Sequence, residues 1–460
     1  VSISESASFK SGTILGGWSM TENIKVAVIG AGPAGLFAAE RLAALGYGVV
    51  LFNRDIKPGG MAEYGIYPDK QAVKDGLRRQ FNLILANDQI HYYGNVNVGE
   101  DRPVTVPQIL AWGVPALLVA CGAQGTKWLG IPGEKLAGVY HAKDVVYHYN
   151  RLPPFSTMPI NIGKRVVIVG AGNVMADVAR YLISQQQVEE VHICIRRGPA
   201  EVKFTRKELA TIIHAVDFDM LHAEIDRVAH VMRAVGQDPE QELDIFHSTA
   251  SKEPPSPTNA RILMHFLVSP SKVLDDGTGR MGSLLLEDNT LVGDAENTTA
   301  RGLGSNWMLP ADTVIFAIGD KVETKLGVPV LKNDYQHTLE PKFPIEGQSY
   351  EAADGSTGKP WAGVFLAGWS RIASNGLVGN AKKDGINAAA AIDQYLQTQN
   401  CTGIPLEELD GLLSRLVDPV VRKADLLRLI DNERARAETS DQESAKYLTN
   451  AEMLKVMGLG

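Results

Sequence analysis

The chain has 460 residues, a net charge of -8 at neutral pH, 45% hydrophobic and 21% charged residues, and three cysteines. That length exceeds what one hydrophobic core usually spans, so two domains are expected, while the acidic balance argues against a nucleic-acid binder and no apolar run reaches membrane-spanning length. Cys121, Cys194 and Cys401 stand far apart without a C-x-x-C pair. They encode neither a disulfide framework nor an obvious dithiol or iron–sulfur site, and they fit a cytoplasmic, reducing setting.

Residues 1–23 are rich in Ser and Gly, lack the apolar stretch of a signal peptide and are expected to be a disordered extension, with Met20 a candidate start. The first patterned run, Ile24 to Ile29, reads as a strand. It is followed by Gly30-Ala31-Gly32-Pro33-Ala34-Gly35, an Ala/Leu-rich helical stretch to about Leu45, and a second strand from Gly48 to Phe52. This is a β-α-β unit opened by G-x-G-x-x-G, whose glycines allow a tight turn and bring backbone N–H groups to a pyrophosphate at the helix N-terminus. At the end of its second strand, where a carboxylate usually binds the adenosine ribose, stands Asn53; its amide can still donate and accept, and its reading as a plain turn residue stays open.

The pattern recurs. Arg165 to Val169 reads as a strand, Gly170-Ala171-Gly172-Asn173-Val174-Met175-Ala176-Asp177 as the turn, Val178 to Ile183 as a helix and Val191 to Ile195 as the next strand. Here the second strand ends in Arg196-Arg197, an arginine pair suited to the 2′-phosphate that NADPH carries and NADH lacks. Two strands ending in glycine, Ala116 to Ala120 with Gly122 and Thr313 to Ala317 with Gly319, mark the crossings between domains. The expected division is therefore an FAD domain of residues 24–122 and 319–460 interrupted by an NADP domain of residues 123–318. Ser248 to Thr258 reads as a surface loop, Arg261 to Val268 as a strand, and the stretch after Leu406 as charged helices without evident chemistry. Late in the chain, the strand Val364 to Ala367 leads into Gly368-Trp369, and Gly376-Leu377-Val378-Gly379 opens a helix of small residues whose N-terminal dipole suits the electron-rich edge of a reduced flavin.

These pieces in this order resemble the adrenodoxin-reductase-like family of ferredoxin–NADP reductases, which is related to the small subunit of glutamate synthase. The most specific stretch is Arg196-Arg197-Gly198-Pro199, then Phe204-Thr205, then Glu208-Leu209; Tyr64-Gly65-Ile66-x-Pro68-Asp69, Gly94-Asn95-Val96-x-Val98-Gly99 and Ile131-Pro132-Gly133-Glu134 support it. The resemblance implies an α/β fold of two Rossmann-like domains, the NADP domain inserted into a discontinuous FAD domain. It implies FAD contacts at Ala34, Asn53, Met61, Val98, Trp369, Gly376, Leu377 and Val378. NADP contacts are implied at Ala171, Gly172, Asn173, Val174, Arg196, Arg197, Glu208 and Gly376.

The function expected is hydride transfer from NADPH to FAD and then electron release, most plausibly singly, to ferredoxin or another small acidic carrier. A local positive face of Arg206, Lys207, Arg227 and Arg233 is expected to serve that partner. Two alternatives stay open: a glutamate-synthase-small-subunit-like oxidoreductase without iron–sulfur clusters, and a non-catalytic flavoprotein redox sensor. The chain departs from the family at Lys70, where a histidine is common near the nicotinamide, at Thr211, where a glutamate is expected, at Met175, where a small residue is usual, and across Arg371 to Asn375. No residue is singled out as catalytic and no metal site is expected.

Overall fold

The computed structural model describes residues 23–460 apart from 186, 254–257, 259, 417 and 442–444. The expected N-terminal extension, but for Asn23, and the candidate start at Met20 lie outside the described residues.

The opening run forms strand β1 (Asn23–Ile29), and the glycine turn leads into helix α1 (Pro33–Ala44) and strand β2 (Gly48–Phe52). Pro33 at the first helical position fixes φ where no N–H is needed. After helix α2 (Gln71–Ala86) come β3 (Ile90–Tyr93) and β4 (Ala116–Val119). The chain then leaves this sheet. It builds β5 (Val139–His141), α3 (Ala142–Tyr149), β6 (Arg165–Val169), α4 (Asn173–Ile183) and β7 (Glu190–Ile195). Helices α5 (Arg206–Ala210), α6 (Phe218–Ala234) and α7 (Pro239–Ala250) follow, then β8 (Arg261–Phe266). Three antiparallel strands, β9 (Val268–Asp275), β10 (Met281–Gly293) and β11 (Thr298–Pro310), precede β12 (Thr313–Phe316). The chain returns through β13 (Glu351–Ala353), β14 (Pro360–Leu366), α8 (Val378–Gln397) and β15 (Ile404–Pro405). It ends in α9 (Leu406–Leu413), α10 (Lys423–Ala437) and α11 (Asn450–Met457).

The first sheet runs β13-β14-β4-β1-β2-β3, with β15 antiparallel to the start of β1, and the second runs β5-β12-β6-β7-β8. Each has the order of a doubly wound nucleotide fold with its glycine turn at the carboxyl end of the central region. The two are two separate cores, which is why the intervening segment can interrupt the first fold without breaking it. In the first, Val26, Val28, Leu51 and Leu118 are fully buried against α1 and α8; in the second, Val166, Ile168, Ile193 and Ile315 play that part. Each such side chain contributes about 1.5–3 kcal/mol. The smallness of α8 has a steric cause: a Cβ at Gly385 would overlap the carbonyl of Ala34, so the helices α1 and α8 cross backbone to backbone.

Three features differ from the sequence reading. Helix α4 starts at Asn173, directly on the glycine turn, rather than at Val178. The expected loop from Ser248 overlaps the last turn of α7, and its residues 254–257 lie outside the described residues. The antiparallel sheet β9-β10-β11 is unforeseen; it covers the face of the second sheet that α4 leaves open, through Leu284, Leu286 and Val314.

Candidate functional site

Both glycine turns carry the same device. Gly30 has φ of 108° and Gly170 of 133°, a region that favours glycine. At Gly30 a Cβ would also come within 2.6 Å of the Ala120 carbonyl, and at Gly170 it would overlap the Ala317 carbonyl. Two residues on, Gly32 and Gly172 have ordinary extended backbones, and a Cβ at either would meet nothing within 4 Å. Open space therefore lies over each turn, at the N-terminus of α1 or α4, where first-turn N–H groups lack partners and favour an anion.

Asn53 ends β2 as expected, but its amide is engaged inside the protein. Its Oδ1 accepts the Ala31 N–H at 3.1 Å and its Nδ2 donates to the carbonyls of Asp55 and Lys57 at 2.8 and 3.0 Å. It ties the first glycine turn to the following loop. In the second fold the carbonyls of Arg196 and Arg197 are held by Asn289 and Leu267, the half-buried Arg197 guanidinium donates to the Thr298 carbonyl at 3.5 Å, and the Arg196 guanidinium is exposed and makes no hydrogen bond or ion pair among the described residues. Asn173 Oδ1 accepts the N–H of Thr205 at 3.0 Å, and the N–H groups of Lys203 and Phe204 donate to Ala171, so the signature loop braces the second turn.

Around Gly368 and Trp369, Asp384 gathers the geometry. It accepts the Gly368 N–H at 2.6 Å and pairs through both oxygens with Arg371, whose guanidinium lies 4.5 Å over the Tyr350 ring. A cavity of about 250 Å³ opens here between Tyr350, Trp369, Asn380 and Asp384, at the start of α8. Trp369 is half-buried, its Nε1 donating to the Asn375 carbonyl. Gly376 and Val378 are half-buried and Leu377 is exposed. Ala34 and Gly35 are buried beside Gly368, and Met61 opens a short helix next to the Gly59–Gly60 turn that abuts Gly32. Val98 stands apart from these: its side chain is packed in the core on the other face of the first sheet. Val174 is exposed at the first turn of α4, and Met175 is fully buried, with Ala176 beside it leaving room.

Glu208 is where the structure adds most. Its carboxylate accepts from Lys70 Nζ at 3.0 and 3.1 Å, and Asp177 lies 3.4 Å from the same ammonium. Thr211 turns away and donates to the Glu208 carbonyl. Burial pushes Asp177 up to about 6, Glu208 adds to this, and Lys70 opposes it. Burial works against the Lys70 charge, yet Asp177 and Glu208 outweigh it and raise its pKa. The sequence marked Lys70 and Thr211 only as departures; that two carboxylates would meet Lys70 needs the tertiary fold.

A second polar cluster sits at the crossings, where Gly125–Thr126 pairs antiparallel with Asp320–Lys321. Lys143 donates to the Gln124 carbonyl at 2.6 Å and lies 3.6 Å from Asp320, and the Asp320 N–H donates to Ser374. Burial raises Asp320 to about 6 and lowers His141 to about 4, where the Lys143 charge adds to the effect. The divergent segment Arg371 to Asn375 thus reaches back through Ser374 to Asp320, at the crossing between the two folds. The C-terminal helices also carry more than charge: Glu63 is buried among Lys446 at 3.0 Å, Arg78 at 2.7 Å and Lys57 at 3.9 Å, and these cations hold it well below the usual carboxylate range against the cost of burial.

The three cysteines are free thiols, and among the described residues no group of three or more His, Cys, Asp or Glu side chains could hold a metal. No helix among the described residues is long and apolar enough to cross a membrane.

Residues 24–238 match the family model of the pyridine nucleotide-disulphide oxidoreductases. NADPH-ferredoxin reductase FprA of Mycobacterium tuberculosis is 28% identical to this chain, the alignment covering 95% of this chain and 99% of that protein. The mitochondrial NADPH:adrenodoxin oxidoreductase of Bos taurus is 28% identical over 94% of this chain and 92% of its own. The structure of Mycobacterium tuberculosis FprA in complex with NADPH superposes with a TM-score of 0.76 at 26% identity, covering 95% of this chain and 99% of that one. With both glycine turns formed and the Arg196-Arg197-Gly198-Pro199 signature placed at the end of β7, the chain is similar over nearly its whole length to the NADPH-ferredoxin and NADPH:adrenodoxin reductases.

Proposed function

We propose that this chain oxidises NADPH at an FAD held in its first nucleotide fold and passes the electrons to an external carrier, ferredoxin or another small acidic protein. Bound FAD supplies an acceptor for two electrons that can leave one at a time. Everything else is the work of the chain. Gly30 to Gly35 and the N-terminus of α1 bind the FAD pyrophosphate, with Asn53 holding the turn in shape rather than holding the ribose. Met61, Gly368 and Trp369 flank the ring system, and Gly376, Leu377 and Val378 present the N-terminus of α8 to its edge, a dipole contact of about 1 kcal/mol. Gly170 to Val174 bind the NADPH pyrophosphate on α4, and Arg196 and Arg197 pair with the 2′-phosphate. The proposed division is residues 24–122 and 319–460 for FAD and 123–318 for NADPH.

The observation that carries this reading is the contrast at the two strand ends. In the second fold Arg196 at the strand end is exposed and without an ion pair among the described residues, which supports its pairing with a 2′-phosphate. Open space over Gly32 and Gly172 supports two dinucleotides rather than one. Three unpaired thiols leave no dithiol for internal electron transfer and support a reducing, cytoplasmic setting. The test is to load purified protein with FAD and follow flavin absorbance on adding NADPH or NADH anaerobically, then to add ferredoxin. Bleaching by NADPH well ahead of NADH, and reoxidation by ferredoxin, are expected. Bound flavin that NADPH leaves unbleached would favour a non-catalytic flavoprotein.

A further inference from the structure

The short segment from Tyr67 to Lys70 leaves the first fold and grips the second at three points. Tyr67 lies under the Arg180 guanidinium at 4.7 Å and edge-on to Tyr149 at 5.5 Å. Asp69 pairs with Arg180. Lys70 holds Glu208 and Asp177. Asp177 and Arg180 belong to α4, the helix that starts on the second glycine turn; Glu208 belongs to α5, whose N-cap Thr205 is hydrogen-bonded to Asn173 on that same turn. The Lys70 contact thus has its acidic side on the two elements that shape the second nucleotide site and its basic side on the first fold, and the Asp69–Arg180 pair crosses the same boundary with the charges reversed.

These side chains are only about one-quarter exposed at Lys70 and less at its partners, so the contact is better shielded than a surface ion pair. Breaking it leaves two half-buried carboxylates side by side, which repel.

We propose that Lys70 is a positioning residue for hydride transfer: by holding Glu208 and Asp177 it fixes the α4–α5 corner against the first fold, and so sets the spacing and angle of the two bound rings. The proposal rests on the function proposed above. Hydride transfer needs reacting atoms within about 3–3.5 Å, and a misplacement of about 1 Å costs on the order of a hundredfold in rate. The ammonium stays charged across the range in which a histidine would titrate, so of the three groups at the contact it is not Lys70 that switches near neutral pH.

The experiment compares FAD-loaded wild type with Lys70→Ala, Lys70→Arg and the charge swap Lys70→Glu with Glu208→Lys. Stopped-flow flavin bleaching separates the limiting rate from the apparent Kd for NADPH, and hydrogen–deuterium exchange is followed on the same proteins without NADPH. Lys70→Ala is expected to lower the limiting rate by about tenfold or more while the Kd moves by less than about threefold, because Arg196 and Arg197 are untouched. Exchange should quicken over residues 67–71 and 206–211. Lys70→Arg should recover most of the rate, and the swap part of it. A Lys70→Ala protein with the wild-type limiting rate, a loss that arginine does not repair, or unchanged exchange would overturn the proposal. A wild type that binds FAD but is not bleached by NADPH would instead overturn the function, and the positioning role with it.

Discussion

The two nucleotide folds of this chain use one backbone device and differ in what surrounds it. Both turns begin with a glycine held in a region that favours glycine and pressed against a neighbouring carbonyl, Ala120 under Gly30 and Ala317 under Gly170. At the next strand end they diverge. The first fold closes the position with Asn53, whose amide is spent on Ala31, Asp55 and Lys57; the second leaves Arg196 exposed and without a protein partner among the described residues. On the proposed reading the turn makes a dinucleotide site and the strand end decides which dinucleotide, since an unengaged side chain is the one left to answer a ligand.

The sharpest way to break that comparison is to separate the first glycine of a turn from the second. Gly30→Ala places a Cβ 2.6 Å from a backbone oxygen at φ 108°, and the combined strain and overlap should cost at least about 3 kcal/mol, enough to lose FAD and lower Tm together. Gly32→Ala meets no protein atom, so its stability should stay within about 1 kcal/mol of wild type while FAD content collapses, because the methyl occupies the pyrophosphate space. Gly172→Ala should do the same to NADPH binding and spare FAD. Thermal melts with and without added FAD distinguish the cases; a Gly32→Ala protein that retains FAD fully would remove the pyrophosphate from that turn.

Next comes the strand end. Arg196→Ala with Arg197→Ala should raise the KM for NADPH by roughly a hundredfold, two charge-assisted hydrogen bonds of about 1.5 kcal/mol or more, and leave that for NADH nearly unchanged. Equal losses with both would assign the arginines to something other than the 2′-phosphate. In the first fold, Asn53→Ala leaves the buried Ala31 N–H unsatisfied and should cost about 1–3 kcal/mol in urea unfolding, with or without FAD. If the loss appeared only with FAD present, Asn53 would be a ribose ligand after all.

How much of this was legible from sequence follows from how local each signal is. The strand–glycine–helix units repeat within about thirty residues, and their strands and turns fall where periodicity and glycine spacing put them, β2 to the residue. Asn53 could be placed at the end of β2, but its four partners include Ala31 across the turn and Tyr92 on β3, and no pattern along the chain reveals that its amide is already used. Lys70, Asp177 and Glu208 lie more than a hundred residues apart from first to last, so their meeting is a property of how the folds dock. The sheet β9-β10-β11 escaped because its long strands are exposed on one side and lack a strong alternation over Thr298 to Pro310. The charged C-terminus read as inert because the partner of Lys446 is Glu63, far back in the chain.

A smaller effect tests the electrostatics of the docked folds. Asp177 has its folded pKa raised to about 6 from 3.8, so between those values the native state binds more protons than the unfolded one. That stability is fully present at pH below about 4 and is lost as pH rises through 6. Asp177→Asn should therefore flatten stability across pH 4 to 6.5 and leave the variant about 1–2 kcal/mol more stable than wild type at pH 7.5. Denaturant midpoints at pH 5 and 7.5 measure it; a variant less stable at both would mean that the Lys70 contact outweighs burial.

The smallest expected effect concerns the partner surface, where the two folds differ again. Of the four basic residues expected to form a positive face on the inserted fold, Arg227 is held through two nitrogens by Glu224, at 2.7 and 2.8 Å, and by the Phe266 carbonyl, and Arg233 pairs with Glu240. Their charges are largely cancelled at home. Arg206 and Lys207 are exposed at the start of α5 and form no ion pair among the described residues. An acidic carrier steered to this face would feel those two, and rim charges of this kind act on association rates with strong salt dependence rather than on the transfer step. Reversing Arg206 and Lys207 to Glu should lower kcat/KM for ferredoxin a few-fold at low salt, and the difference should fade as salt is raised toward physiological strength, where screening sets in beyond about 8 Å. Reversing Arg227 and Arg233 should lower stability more than it lowers ferredoxin turnover, because Glu224 and Glu240 then face like charges. NADPH-to-flavin reduction, followed separately, should be unmoved by either pair. If the second pair proves the more damaging to turnover at low salt, the ion pairs with Glu224 and Glu240 open on docking and the carrier sits over α6; if neither pair responds to salt, the carrier docks elsewhere than on the inserted fold.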